Sequence, residues 1–90
     1  MVERRDKVKI IHDILKSVQE KNGKIKPTHL LYKSNLSYKR LNELVQELRE
    51  KGLMDEENVG GQKMYILTDK GFKFLNEYYK MVEFIKTFGF

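Results

Sequence analysis

Ser37, Tyr38, Lys39 and Arg40 stand in an unbroken run, followed closely by Asn42, Glu43 and Gln46. These are side chains that can hydrogen-bond a nucleic acid. A guanidinium reaches O6 and N7 of guanine together, and a carboxamide pairs with N6 and N7 of adenine. Hydroxyls and ammonium groups hold phosphates, which fix register without reading sequence. Arg40 is therefore the candidate for guanine, and Asn42 or Gln46 for adenine. Ser37, Tyr38, Lys33 and Lys39 are candidates for the backbone. Glu43 discourages non-specific phosphate contact unless it accepts from cytosine. The competing reading is a solvated helix face, since most amphipathic helices meet only water.

Charge placement favours the first reading. The chain of 90 residues has 18 Lys or Arg against 13 Asp or Glu, a net +5. From Gly23 to Gly52 seven cations face three glutamates, a net of +4 (7 − 3), whereas Leu53 to Leu67 nets −2 (1 − 3). The excess thus lies around the candidate residues, and a basic stretch in a helical context is the electrostatic footprint of a polyanion partner.

Other chemistries find little support. His12 and His29 have no neighbours at metal-ligand spacing, and no serine or cysteine is arranged as a nucleophile. Asp55-Glu56-Glu57 lacks the ligand spacing of a calcium loop, and Gly60-Gly61 is not part of a phosphate-binding Gly-Lys loop. No catalytic residue, metal or cofactor is expected, and an enzyme is not. With no cysteine, no long apolar run and a start, MVERRDKVKII, without the apolar core of a secretory signal, a cytoplasmic protein without a membrane segment is expected.

Leu41, Leu44, Val45 and Leu48 recur at i, i+3, i+4 and i+7. They draw the buried stripe of a helix whose other face carries the candidates. Ser37 offers a hydroxyl N-cap, and Leu36 before it is a hydrophobic anchor. Upstream, Pro27 suits a first turn, and Thr28 to Lys33 forms a short helix with Leu30 and Leu31 inward. Ser34-Asn35 breaks it, which makes a helix-turn-helix.

Asp6 is the predicted N-cap of a first helix running to about Lys21, with Val8, Ile11, Leu15 and Val18 as its stripe, flanked by Ile10 and Ile14. His12 lies off that stripe and reads as a surface residue. Asn22-Gly23 ends the helix, and Lys24-Ile25-Lys26 can pair as a small edge strand. After Gly52 the apolar period drops to two. Strands either side of Gly60-Gly61 make a hairpin, because glycine supplies the positive φ that tight turns require. Thr68 caps a last helix from Asp69 to Thr87.

The block NLSYKRLNELVQELREKGLM, the glycine-tipped hairpin and YILTDKGFKFL resemble the archaeal winged helix-turn-helix proteins of about ten kilodaltons. The likeness rests on Asn35-Leu36-Ser37-Tyr38 and on Tyr65-x-Leu67-Thr68-x-Lys70-Gly71, and it spans about Asp6 to Phe84. It implies an α+β, mostly α fold: a winged helix-turn-helix with a two-stranded wing and a C-terminal dimerisation helix. It also implies binding of double-stranded DNA by a homodimer, as a regulator or a chromatin-type protein. The wing departs from the pattern, since Asp55, Glu56 and Glu57 outnumber its one cation, Lys63, the candidate wing contact to DNA.

The last helix has two apolar rows. Phe72, Leu75, Tyr79 and Val82 form one, and Phe74, Tyr78, Met81, Ile85 and Phe88 form the other. Two rows exceed what one small core covers, so the second is expected to pack against its symmetry mate. Residues 1–67 then make the DNA-binding body and 68–90 the dimerisation helix of a single domain. The alternative is a winged-helix protein-interaction module that does not touch DNA. No residue specifies a small-molecule effector.

Overall fold

The structure, a computed structural model, describes residues 3–90, with side chains from Lys7 onward. Its elements are α1 (Glu3–Glu20), β1 (Lys24–Ile25), α2 (Pro27–Ser34), α3 (Tyr38–Glu50), β2 (Met54–Val59), β3 (Gln62–Leu67) and α4 (Asp69–Thr87). The three strands form one antiparallel sheet in the order β1-β3-β2. This is the winged helix-turn-helix architecture, mostly helical with a hairpin wing.

Asp6 does not cap α1. The helix begins at Glu3, so Asp6 lies within it. Acidic residues are favourable throughout a first helical turn because of the macrodipole, so the carboxylate does not fix the boundary. At the other end Asn22 (φ 61°) and Gly23 (φ 87°) are both left-handed, and Gly23 N–H donates to the Val18 carbonyl at 3.0 Å. The Gly23 carbonyl in turn accepts from Leu67 N–H at 2.9 Å, tying the exit of α1 to the end of β3.

The helix-turn-helix is closed by side-chain hydroxyls. Asn35 takes the left-handed conformation that ends α2 (φ 59°), and Ser34 Oγ donates to the Leu31 carbonyl. Ser37 Oγ then accepts from Arg40 N–H at 3.1 Å, which caps α3. At the far end of α3, Leu53 N–H donates to the Leu48 carbonyl and Gly52 N–H to that of Arg49, around a left-handed Gly52.

Ile14, Leu15 and Val18 of α1, Ile25 of β1, Leu30 of α2, the four apolar residues of the α3 stripe, Met54, Tyr65, Leu67 and Leu75 make one core. It takes in the root of α4 as well as the body. Val8, expected on the α1 stripe, is exposed, while α4 packs on α1 over the side that carries His12. His12 is not a surface residue. Its side chain is 19% exposed and stacks on Tyr78 of α4 with ring centroids 4.2 Å apart. Its Nδ1 lies 3.0 Å from Asp13 Oδ1.

In the wing, Val59 pairs with Gln62 and the two glycines between them both have positive φ, 58° and 83°. That is the two-residue turn whose twist suits a hairpin. Among the described residues no helix is long and apolar enough to cross a membrane.

Candidate nucleic-acid interface

Because Leu41, Leu44, Val45 and Leu48 are fixed in the core, α3 turns its remaining side chains outward. Tyr38 is 70% exposed, and Ser37, Lys39 and Arg40 are exposed beside it. Among the described residues, neither Lys39 nor Arg40 is in an ion pair.

The other candidates are more engaged. Asn42 is half-buried and lines, with Pro27, Thr28, Tyr38 and Lys63, a hollow of about 130 Å³ between α2, α3 and the wing. Gln46 Oε1 accepts from Arg49 at 3.2 Å. Lys33 is not beside the α3 cluster: it reaches across to Glu20 of α1 at 3.3 Å. Lys63 sits 3.7 Å from Glu56 and 5.5 Å from the centroid of the Tyr65 ring. Thr28 escaped the sequence reading, although its place just after Pro27 at the start of α2 put a hydroxyl on the side facing α3.

The acidity of the wing has a structural explanation. Glu56 faces the body and meets Arg49 of α3 at 3.1 Å as well as Lys63. Glu57, on the opposite face of the hairpin, lies 3.5 Å from Lys24 of β1. Two of the three wing carboxylates are therefore offset by cations of the chain itself. Such exposed pairs add little stability, but they remove much of the repulsion an acidic wing would present to phosphate.

The root of the wing is fastened by Thr68. Its Oγ1 donates to the Gly52 carbonyl at 2.7 Å and accepts from Gly71 N–H at 3.0 Å, while Lys70 Nζ donates to the Lys51 carbonyl at 2.7 Å. Gly71 is required here, since a Cβ would collide with the Leu53 carbonyl and the Leu67 side chain. The Leu-Thr-x-x-Gly junction is thus a packing device that joins the exit of α3, the end of β3 and the start of α4.

The five residues expected at the dimer contact divide into two groups. Phe74 and Tyr78 are half-buried against their own body, Tyr78 on His12. Met81, Ile85 and Phe88 are exposed, together with Phe84, and Phe84 and Phe88 meet edge to face at 5.1 Å. From the first row Leu75 is buried while Phe72 and Tyr79 are exposed. Val8, Phe74, Tyr78 and Met81 rim a shallow, mostly apolar hollow of about 210 Å³ where α1 meets α4.

Ionisable groups are perturbed mainly at the α1 surface. Partial burial works against ionisation of Asp13, but hydrogen bonds from Lys9 and His12 outweigh it and hold the carboxyl below its usual range. The same hydrogen bond to Asp13, aided by its charge, raises Lys9. Among the described residues, no three His, Cys, Asp or Glu side chains are grouped to hold a metal ion.

A family model described as winged helix-turn-helix matches residues 4–86. The chain belongs to that family. Its winged-helix fold is shared with Sso10a-2, a DNA-binding protein from Sulfolobus solfataricus, at a TM-score of 0.74 and 18% identity, covering 90% of this chain and 82% of that one. A winged-helix DNA-binding protein from STIV aligns at a TM-score of 0.72 and 20% identity, covering 92% and 90%. BpsR of Bordetella bronchiseptica, whose DNA binding is regulated by 6-hydroxynicotinic acid, aligns at 0.73 and 13% identity, with 87% of this winged helix on 57% of that chain. No curated protein matches the sequence.

Proposed function

We propose that this winged helix binds double-stranded DNA as a homodimer and acts in the cytoplasm as a transcription regulator, with no catalytic role. Residues 1–67 form the DNA-binding body and 68–90 the dimerisation helix. The observation that carries the reading is the exposure of Lys39 and Arg40, neither of them in an ion pair among the described residues, on the first turn of a helix whose opposite face is locked in the core. A helix presented in this way can enter the major groove with its N-terminal residues foremost. That the fold's solved neighbours include proteins described as DNA-binding adds to it.

In this arrangement Arg40 reads guanine, and Asn42 or Gln46 pairs with adenine, Gln46 by exchanging Arg49 for a base. Ser37, Tyr38, Lys39 and Lys63 hold phosphates, and Lys33 reaches one only by leaving Glu20. The deciding measurement is a duplex titration by fluorescence anisotropy at several salt concentrations. Binding should weaken steeply as salt rises, the signature of phosphate neutralisation. Arg40→Ala should cost about 1–3 kcal/mol on a preferred site and relax its specificity. Unchanged affinity on that site removes the base-reading role of Arg40. Genome-wide footprinting with the purified protein then separates a few defined operators from broad coating.

The aromatic end of α4 favours a second reading, a module that docks on another protein and leaves DNA alone. Its mark is salt-indifferent capture of a protein by a chain that shows no duplex binding.

A further inference from the structure

A second basic surface lies away from α3. Beside β1 opens a recess of about 320 Å³, lined by Lys21, Lys24, Ile25, Lys26, His29 and Met64. Three segments supply it. Lys21 follows the last turn of α1, and Lys24 and Lys26 flank Ile25, whose side chain is sunk in the core. Since side chains alternate along an extended chain, burying Ile25 turns both lysines outward. His29 joins them from the first turn of α2.

Lys24 lies against Glu57, but among the described residues Lys21 and Lys26 meet no carboxylate. Like charges gathered without counterions repel one another, and a bound anion relieves that repulsion. The imidazole registers the local field. Partial desolvation, then the charges of Lys21, Lys33 and Lys26, hold His29 below the usual histidine range. The first turn of α2 also lacks a side-chain cap, so its leading amides have no side-chain acceptor.

The recess neighbours the hollow beside α3 along the chain. Lys26 is bonded to Pro27, and Pro27 and Thr28 form a wall of the hollow shared with Tyr38 and Asn42. A phosphodiester chain leaving the groove beside Tyr38 would therefore meet Thr28 and then the lysines.

We propose that the β1 edge is a second phosphate-binding surface, over which the backbone of the duplex engaged by α3 continues, held by Lys21, Lys26 and His29 without regard to sequence. This rests on the DNA-binding reading above. It enlarges the footprint from the helix-turn-helix to the flank of the sheet, and it assigns part of the affinity to residues that read no base.

The test uses the full chain and a fluorescent duplex of about 30 base pairs, long enough to run past the recognition contact at about 3.4 Å per base pair. Each neutralised phosphate contributes about −0.9 to the slope of log affinity against log salt. A Lys21→Gln/Lys26→Gln double variant should have a slope shallower by about 2, so the affinity lost between 50 and 200 mM salt shrinks about tenfold. The weakening should be equal on every duplex sequence, unlike that of Arg40→Ala. A second readout needs no variant: in an NMR titration of the wild type, the His29 midpoint should rise when duplex is bound, with Lys21, Lys24, Lys26, Lys33 and Glu57 as its charged surroundings. An unchanged slope and an unmoved His29, with Arg40→Ala still weakening binding, overturn this proposal and leave the DNA-binding reading standing. A wild-type chain that binds no duplex at any salt overturns both.

Discussion

Gly71 lies directly beneath the carbonyl of Leu53, closer than any side chain would allow. The contact brings the exit of α3 onto the first turn of α4, with Leu67 filling the third side. Gly71→Ala should therefore overpack the junction and destabilise the fold by about 1–3 kcal/mol. At this size the melting temperature should fall by about 4–8 °C for each kcal/mol. Urea and thermal melts check this, and an unshifted midpoint would mean that the junction yields.

Glu56 holds both Arg49 and Lys63, two cations that border the proposed DNA face. Glu56→Gln should release them. Exposed pairs of this kind are worth about 0.2–1 kcal/mol, so duplex affinity should rise no more than about fivefold, with a steeper salt dependence. Weaker binding by this variant would show instead that the pair positions the wing.

Met81 and Ile85 lie on the exposed side of α4. Replacing both by glutamate should leave the fold intact, since neither is part of the core, and give a monomer in sedimentation velocity. Binding to a two-site duplex should weaken with it, because linked half-sites reinforce one another. A double variant that still sediments as a dimer moves the contact elsewhere.

Asp13 links Lys9 to His12, which stacks on Tyr78. Its carboxyl titrates below the ordinary value of 3.8, so the stability it lends is present above that pH and is lost as pH falls through the lower folded value. Asp13→Asn should cost less than about 1 kcal/mol near neutrality, the range of an exposed pair. Melts of the two proteins should converge in strong acid. Parallel curves down to pH 2 would exclude this linkage.

Much of the reading frame was visible in residue types. Ser37 and the leucines behind it define α3 because a capping hydroxyl and a 3.6-residue stripe agree, and Gly60-Gly61 defines the wing because few other residues accept two positive φ angles in succession. What escaped depends on which elements cross. His12 is off the α1 stripe by sequence, yet α4 covers it. The two apolar rows of α4 are equally plausible by periodicity, and only tertiary packing, on Leu53 and Leu67 at Gly71 and on His12 at Tyr78, turns Gly71, Leu75 and Tyr78 inward. The acidic wing misleads for the same reason, because Arg49 on α3 and Lys24 on β1 belong to other elements than the carboxylates they meet. Arg40 and Lys39 are legible as exposed cations; what they touch is a matter for titration.

The hydroxyl of Thr68 has one further implication. By gripping the Gly52 carbonyl and the Gly71 amide at once, it makes the base of the hairpin a pivot shared with the long terminal helix. The wing tip and the free end of α4 thus lie at opposite ends of elements that start from the same joint. In the proposed DNA-bound dimer, groove engagement and subunit pairing would both bear on that one joint.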